Sequence, residues 1–167
     1  SGNFAKKLVL LPFRFLDSYS AKHVDCVKTI TPQNAQCLKN IFGFRNIKIL
    51  LPPVDFSRLD SPNPKVVIKK YKLKNKIVLL LPATLHKLKN QELAINSLAK
   101  VLQEFPYCVL VLVGEGSDKE RLKRIVEQKG LGKNVVFAGV AKNEEIADYY
   151  KAAHLVLVPS YISEGMP

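Results

Sequence analysis

Residues 76–167 predict an α/β fold with a parallel sheet, and three features of the sequence support this prediction. Segments typical of strands and of helices alternate along it with short joins. Two strand-like runs, Ile77–Leu81 and Cys108–Val113, are apolar at every position, as expected for strands that are buried on both faces. The stretch between them, residues 91–105, repeats its apolar residues at helical spacing. This order favours parallel strands whose connecting helices cover the sheet.

A second helix is expected after the run Cys108–Val113. Ser117 and Glu120 have the spacing of a capping box, in which two side chains satisfy the free N–H groups of a helix start. Gly130 suits the left-handed position that commonly ends a helix. Residues 135–137 are then predicted as a short third strand.

A third helix and a fourth strand complete the pattern. The helix is predicted from about residue 144 to residue 152, and the strand over residues 155–158. Three residues are expected to form the buried face of this helix: Ile146, Tyr150 and Ala153. The second half of the chain therefore predicts four parallel strands.

The first 55 residues have a weaker pattern and are interpreted as the end of a preceding α/β domain. They hold too few elements for a closed domain with its own core. The predicted elements, in chain order, are a helix over residues 5–22, a strand over 26–31, a helix over 32–42 and a strand over 47–51.

A linker is predicted between the two domains, over residues 56–75. Pro52 and Pro53 interrupt regular structure just before it, because proline lacks the backbone N–H that helices and sheets need. The second domain is then expected to begin at residue 76 and to include residue 167.

The formal net charge of +12 is concentrated before residue 77. Residues 56–76 carry seven basic side chains and one acidic side chain, whereas residues 77–167 carry eleven and ten. The balanced charge of the sheet-forming half argues against nucleic-acid binding there, because such a surface needs clustered lysine and arginine. The basic front half suits peripheral contact with an anionic membrane, and a solvated linker explains the lysines of residues 60–76 equally well.

The spacing of the cysteines and histidines indicates neither a metal site nor a disulfide framework. The three cysteines, Cys26, Cys37 and Cys108, have neither a zinc-ligand spacing nor that of a disulfide framework. The three histidines are scattered, without a second ligand at helical or hairpin spacing. We therefore expect a cytoplasmic location and no metal cofactor.

Candidate site residues gather where the predicted strands end, which is where parallel α/β sheets bind ligands. Gly114 and Gly116 open a helix after the second strand, where a phosphate can meet free backbone N–H groups; a tight turn explains them about as well. Lys89 precedes a helix start and suits a diphosphate, although a solvated loop lysine is the simpler explanation. Ser160 and Glu164 follow the fourth strand, and a carboxylate there can accept hydrogen bonds from sugar hydroxyls.

In their order and spacing, six segments resemble the retaining glycosyltransferases with two facing Rossmann-like domains, the GT-B fold of the glycosyl transferases group 1. The resemblance covers about residues 21–167 and implies a Rossmann-like parallel sheet that is half of a GT-B C-terminal domain. The segments are TITPQNAQCLKNIFG, NIKILLPPVD, LPATLHKLKNQELAI, VLVGEGSDKERLKRI, NVVFAGVAKNEEIADYYKAAHLVLVPS and SEGMP.

The resemblance assigns roles to individual residues. Lys89 matches the lysine that holds the donor diphosphate, and Thr84 stands where the family usually has an arginine. Glu164 matches the first glutamate of a pair, would act at the donor sugar as the catalytic residue, and has its expected partner beyond Pro167. Besides Thr84 and Lys89, the predicted donor-binding positions are Gly114, Gly116, Gly139, Val140, Ala141, Ser160, Gly165 and Met166.

The implied reaction is transfer of a hexose from a UDP- or GDP-sugar, with retained anomeric configuration, to a glycan, lipid-linked or polysaccharide acceptor. The donor is a substrate, and we expect no cofactor and no activity of these 167 residues alone. Two alternatives stay open. One is a non-catalytic nucleotide-sugar-binding module, prompted by Thr84; the other is a basic protein that binds membrane surfaces or nucleic acid, prompted by the lysines.

Overall fold

A computed structural model describes residues 23–51, 53 and 61–161, together with Leu16 and Tyr19. The chain divides into two compact units, one formed by residues 1–54 with 165–167 and the other by residues 55–164. Leu16 and Tyr19 are helical, and the rest of the predicted helix over residues 5–22 lies outside the described residues. Glu164, Gly165 and Met166 also lie outside them.

The first unit contains a strand–helix–strand segment, as predicted. Strands β1 (Val27–Thr29) and β2 (Ile47–Ile49) pair in parallel, and helix α1 (Pro32–Phe42) connects them. The helix begins where the Thr31 hydroxyl accepts a hydrogen bond from the Asn34 N–H (3.1 Å). It ends at Gly43, whose φ of 73° is the left-handed conformation that glycine adopts most readily.

The second unit is built on a four-stranded parallel sheet in the order β5-β4-β3-β6. The strands are β3 (Ile77–Pro82), β4 (Cys108–Val113), β5 (Val135–Gly139) and β6 (Leu155–Val156). The chain adds β4 and β5 on one side of β3 and then crosses back to place β6 on the other side. Between β3 and β6 the direction of strand addition reverses, which is the position where open α/β sheets bind ligands.

Helices cover both faces of this sheet. They are α2 (Pro64–Lys70), α3 (Gln91–Glu104), α4 (Lys119–Gln128) and α5 (Ile146–Ala152). Residues of α3 and α4 pack with Leu110 and Leu112 in one apolar cluster, whereas residues of α2 and α5 pack with Val109 and Val111 in another. All six residues of β4 are buried, and the parallel strands with helices on both faces confirm the α/β fold class with a parallel sheet.

The segment predicted as a linker contains helix α2 and contributes to the core of the second unit. Val67 and Leu73 are buried in the same cluster as Val78 and Tyr149. The Tyr71 hydroxyl lies 3.0 Å from the Tyr149 hydroxyl, which is on α5. Residues 64–73 are therefore packed structure rather than a solvated connection.

Two details of the predicted helices are corrected. The fully buried residues of α5 are Ala147, Tyr149 and Ala152; of the predicted residues, Ile146 and Ala153 are partly buried against the same cluster, whereas Tyr150 is exposed. Helix α4 begins after Asp118 without a side-chain cap, and the proposed capping box of Ser117 and Glu120 does not form.

Replacing a central residue of β4 tests the sheet. We expect Leu110→Ala to lower the free energy of unfolding by roughly 2–5 kcal/mol, because Leu110 has no exposed surface and its truncation leaves a cavity. Urea unfolding followed by circular dichroism measures this. Leu93→Ala on α3 is the control, since Leu93 is 50% exposed, and an equal loss in both variants would contradict the described core.

Candidate functional site

The loops that follow the strands of the second unit meet at the carboxyl edge of the sheet. The Leu85 N–H donates to the Glu115 carbonyl (3.0 Å), which joins the loops after β3 and β4. The Gly114 N–H donates to the Gly139 carbonyl (2.8 Å), which joins those after β4 and β5. The Tyr161 N–H donates to the Leu88 carbonyl (3.0 Å) across the switch between β3 and β6. The structure thus brings together the described parts of the segments that follow the four strands, where the sequence analysis placed the candidate site residues.

Gly114 and Gly116 provide close contact between backbones. A Cβ atom on Gly114 would lie 2.2 Å from the Ala83 carbonyl oxygen, and one on Gly116 would lie 2.3 Å from that of Leu85. Gly114 also has a φ of 142°, which side-chain-bearing residues rarely adopt. Because its N–H already bonds to Gly139, Gly114 holds the loops together rather than offering that donor to a phosphate.

The loop after β3 contains a short 3₁₀ helix, Lys87–Lys89, that leads into α3. Asn90 joins the two helices in the left-handed conformation, with a φ of 55°. Its side chain does not cap α3; instead, Nδ2 donates to the Pro159 carbonyl (3.1 Å) in the segment after β6. The buried side chain of Asn90 is therefore a second connection across the switch point.

The side chain of Gln91 holds the backbone of this loop. Its side chain is 1% exposed, and Nε2 donates to the Thr84 carbonyl (2.8 Å). Its Oε1 is buried without a hydrogen-bond partner among the described residues, an arrangement that costs about 1–3 kcal/mol. The side chain of Thr84 is exposed, so Gln91 fixes its backbone and leaves its hydroxyl group toward solvent.

Arg121 connects the starts of α3 and α4. Its guanidinium donates two hydrogen bonds to the Asp118 carboxylate (2.6 and 2.7 Å) and a third to Glu92. The hydrogen bonds from Arg121 hold the pKa of the 6% exposed Asp118 below its usual range, although burial opposes that shift. The Asp118 N–H donates to the Leu85 carbonyl (3.0 Å), so this ion cluster also holds the loop after β3.

An open pocket of about 240 Å³ lies beside these groups. Its lining residues are Lys87, Asn90, Glu92, Arg121 and Tyr161. Arg121 directs its charge to two carboxylates, whereas Lys87 is exposed and makes no salt bridge with any residue that the structure describes. The pocket therefore combines a positive side chain with the start of α3, where the helix dipole favours an anion.

The other predicted site residues surround this edge. Lys89 is half-buried at the end of the 3₁₀ helix, and Ser160 is half-buried after β6. Gly139 has a φ of 74°, Val140 is 73% exposed, and Ala141 packs against the core. The predicted catalytic Glu164 and the neighbouring Gly165 and Met166 are outside the described residues, so their roles stay predictions.

Sequence reasoning missed the ion cluster and the contribution of Asn90. Asp118 and Arg121 are three positions apart, a spacing that lets side chains meet on a helix, but many surface pairs share it. The partner Glu92 is 29 positions from Arg121, and nothing in the local sequence indicates that contact.

Metal binding and membrane spanning have no structural support in the part of the chain described. Among those residues, no group of three or more histidine, cysteine, aspartate or glutamate side chains is placed to hold a metal ion. No described helix has the length and apolar character needed to cross a bilayer.

Comparison with known proteins gives consistent matches. A family model described as "Glycosyl transferases group 1" matches residues 65–167, which is more than half of the chain. Two uncharacterized glycosyltransferases of Methanocaldococcus jannaschii are similar, at 24% identity over 82% of this chain and 30% identity over 77%. The chain spans about a third of the length of these two relatives (34% and 33%).

Solved structures share the fold. The Anabaena protein HepE in complex with UDP superimposes with a TM-score of 0.73 at 21% identity, covering 86% of this chain and 40% of HepE. Sucrose-phosphate synthase from Thermosynechococcus elongatus gives a TM-score of 0.72 at 22% identity, covering 89% of this chain and 38% of the synthase. HepE has also been solved with UDP-glucose.

A side chain at residue 116 tests the contact between the loops. We expect Gly116→Ala to lower the free energy of unfolding by roughly 1–3 kcal/mol, because its Cβ would overlap the Leu85 carbonyl. Chemical denaturation measures the change. Gly132→Ala is the matched control, since a Cβ there meets no atom within 4 Å. Equal stability of the two variants would show that the loops do not touch at Gly116.

The ion cluster predicts a pH dependence of stability. Because the pKa of Asp118 is lowered in the folded state, its contribution is present above the ordinary value of 3.8 and is lost as the pH falls through the lowered value. We expect Asp118→Asn to lower the free energy of unfolding by about 1–2 kcal/mol at pH 7, a modest loss because Arg121 is partly exposed. Below pH 4 this loss becomes progressively smaller.

Urea unfolding at a series of pH values measures this difference. Glu120→Gln is the control, because the Glu120 side chain is 70% exposed and its salt bridge with Lys123 lies on the surface. A cost for Asp118→Asn that stayed constant down to pH 3 would contradict the assigned ion pair.

Proposed function

This chain belongs to the glycosyl transferases group 1 family, and from that premise we propose that it forms the donor-binding part of a retaining glycosyltransferase. The enzyme transfers a hexose from a nucleotide-diphosphate sugar to a glycan, lipid-linked or polysaccharide acceptor. The relatives' greater length supports placing the acceptor site in residues outside this chain.

One observation carries the proposal: the segment after β6 is tied to the loop after β3 at the switch point of the sheet. The Tyr161–Leu88 and Asn90–Pro159 hydrogen bonds place this segment beside Lys89 and the start of α3. A crevice with lysines and a helix N-terminus suits a diphosphate. HepE, which shares the fold, is described with UDP and with UDP-glucose, and we extend that donor class to this chain.

Charge at this edge supports the assigned chemistry. In sugar transfer, the bond between the anomeric carbon and the diphosphate oxygen breaks, and negative charge grows on the leaving diphosphate. Lys89, Lys87 and the N–H groups at the start of α3 stabilise that charge in the proposed mechanism. Arg121 offsets Glu92, a carboxylate in the first turn of α3 that would otherwise repel the donor. This route uses side chains and backbone dipoles and requires no metal.

The remaining roles in the proposal follow the family resemblance. Glu164 lies against the donor sugar, and the N–H groups of Gly165 and Met166 contact sugar and phosphate. Gly139, Val140 and Ala141 contact the nucleotide base, a role that suits the exposed side chain of Val140. We also propose a reducing cytoplasmic setting, in keeping with three cysteines that are all free.

A non-catalytic nucleotide-sugar-binding module is the second candidate function. It is favoured by Thr84, whose exposed side chain replaces a family arginine and leaves the diphosphate with one cationic side chain fewer. Binding and turnover separate the two candidates, because a module binds the donor but does not release its nucleotide.

Donor binding tests the shared part of both candidates. We expect Lys89→Ala to weaken UDP or GDP binding by about tenfold or more, because a charge-assisted contact with the diphosphate contributes roughly 1.5–3 kcal/mol. Isothermal titration calorimetry with both nucleotides measures the dissociation constants. Lys100→Ala is the control, since Lys100 is an exposed lysine near the other end of α3. Equal affinities of the two variants would overturn the assignment of Lys89.

Turnover distinguishes an enzyme from a binding module. The protein that includes this chain is incubated with UDP- and GDP-sugars, and released nucleotide is measured with and without Glu164→Ala. For an enzyme we expect release that the substitution cripples while donor affinity changes little. Tight donor binding without release to any acceptor would select the binding module.

A further inference from the structure

The most basic segment of the second unit lies outside the loops that form the proposed donor site. Residues 61–76 contain six lysines and no acidic residue. We name this set the lysine surface: Lys65, Lys69, Lys70, Lys72, Lys74 and Lys76. All but Lys76 are exposed, and none of the six makes a salt bridge with a carboxylate that the structure describes. Their charges are thus available to a partner.

Helix α2 presents three of these lysines on one face. Val67 is buried and Ile68 is half-buried, and both pack in the cluster shared with α5. The positions on the opposite side of the helix are Lys65, Val66, Lys69 and Lys70, and all four are exposed. The outward face of α2 is therefore positively charged, with one apolar side chain among the lysines.

The turn after α2 continues the surface and is closed by two backbone hydrogen bonds. The Leu73 N–H donates to the Ile68 carbonyl (2.9 Å) and the Lys72 N–H to that of Lys69 (3.4 Å), the pattern of a Schellman motif. Lys72 occupies the position that glycine usually takes in this motif, with a φ of 55°. Lysine adopts this conformation less readily than glycine does.

Aromatic residues adjoin the lysines at the amino edge of the sheet. The Ile77 N–H donates to the Tyr107 carbonyl (3.1 Å), which places the starts of β3 and β4 together. Lys76 Nζ lies 5.4 Å from the centre of the Tyr107 ring. Tyr107 is 63% exposed and Phe105 is 50% exposed. Exposed aromatic rings beside lysines are typical of surfaces that contact the headgroup region of a bilayer.

We propose that the lysine surface, together with Tyr107 and Phe105, binds an anionic membrane. Lysine heads attract acidic lipid headgroups as point charges, while the rings and Val66 enter the interface. Nucleic acid fits less well, because residues 61–76 contain no arginine and the surface includes apolar side chains. The proposed donor site lies at the carboxyl edge of β3 and β4, whereas Lys76 and Tyr107 lie at their amino edge.

Vesicle binding by the whole chain tests this proposal. Co-sedimentation is measured with vesicles of phosphatidylcholine alone and of phosphatidylcholine mixed with phosphatidylglycerol, over a range of salt concentrations. We expect binding only to the anionic vesicles, with affinity that falls as salt rises. The triple variant Lys65→Gln/Lys69→Gln/Lys70→Gln should bind the anionic vesicles about 100-fold more weakly, because each lysine contributes a factor of roughly five.

A matched triple variant controls for the change of net charge. Lys100→Gln/Lys123→Gln/Lys151→Gln removes three lysines from helices α3, α4 and α5, and we expect it to keep near-native vesicle affinity. Tyr107→Ser should weaken the binding that remains at high salt, where charge is screened. Circular dichroism melts check that each variant is folded.

Two outcomes overturn the proposal. One is equal loss of vesicle affinity in both triple variants, which would reflect net charge alone. The other is a loss of affinity for double-stranded DNA in the α2 variant with unchanged vesicle binding, which would assign the lysine surface to nucleic acid. Nucleotide binding should be normal in the α2 variant whatever the vesicle result, so failure of the donor assignment is separately visible.

Discussion

The loop after β3 and the turn after β4 meet backbone to backbone, at positions where Gly114 and Gly116 leave no space for a Cβ atom. This contact allows the Leu85 N–H to reach the Glu115 carbonyl and the Asp118 N–H to reach the Leu85 carbonyl. Leu85 is consequently fully buried, and the chain beyond it must turn through the 3₁₀ helix to enter α3. The positions of Lys87, Lys89 and Asn90 at the switch point all depend on that close approach.

Electrostatics at this edge depend on the same geometry. Asp118 is held in the interior by its backbone contact with Leu85, and a buried carboxylate requires a partner. Arg121 supplies two hydrogen bonds to Asp118 and one to Glu92, which fixes the start of α4 against the start of α3. The carboxylates of Asp118 and Glu92 are thereby paired with Arg121. Lys87 of the 3₁₀ helix contributes its positive charge to the pocket. The same cluster thus supports the fold and pairs the carboxylates beside the proposed donor site.

The sequence predicts the parallel sheet well because β3 and β4 are uninterrupted apolar runs, which few alternatives to a central strand explain. It predicts the packing of residues 64–73 poorly, since the lysines around them hide the two buried residues, Val67 and Leu73. The face of α5 was misjudged because Tyr149 and Tyr150 are adjacent and equally apolar, and only the packing against Tyr71 distinguishes them.

Prediction of the candidate site was limited in a similar way. The strand ends fixed where the site would be, since the carboxyl edge of a parallel sheet follows from topology. The function of each glycine was harder to predict, because a turn that receives phosphate and a turn that receives another loop need the same residue type. Asn90 reaches Pro159 over 69 positions, a contact that only the completed sheet creates.

Within the lysine surface, Lys76 lies beside Tyr107 at the amino ends of β3 and β4, opposite the donor edge, and that separation affects both proposed functions. Strand β3 has six residues and is about 20 Å long. At physiological ionic strength the screening length is about 8 Å, so Lys76 at the amino edge contributes little to the field at the donor edge. An anionic membrane at one end therefore neither competes with nor repels an anionic sugar donor at the other. A membrane-bound enzyme of this design would keep its donor crevice open to the aqueous phase, which is where nucleotide sugars are dissolved.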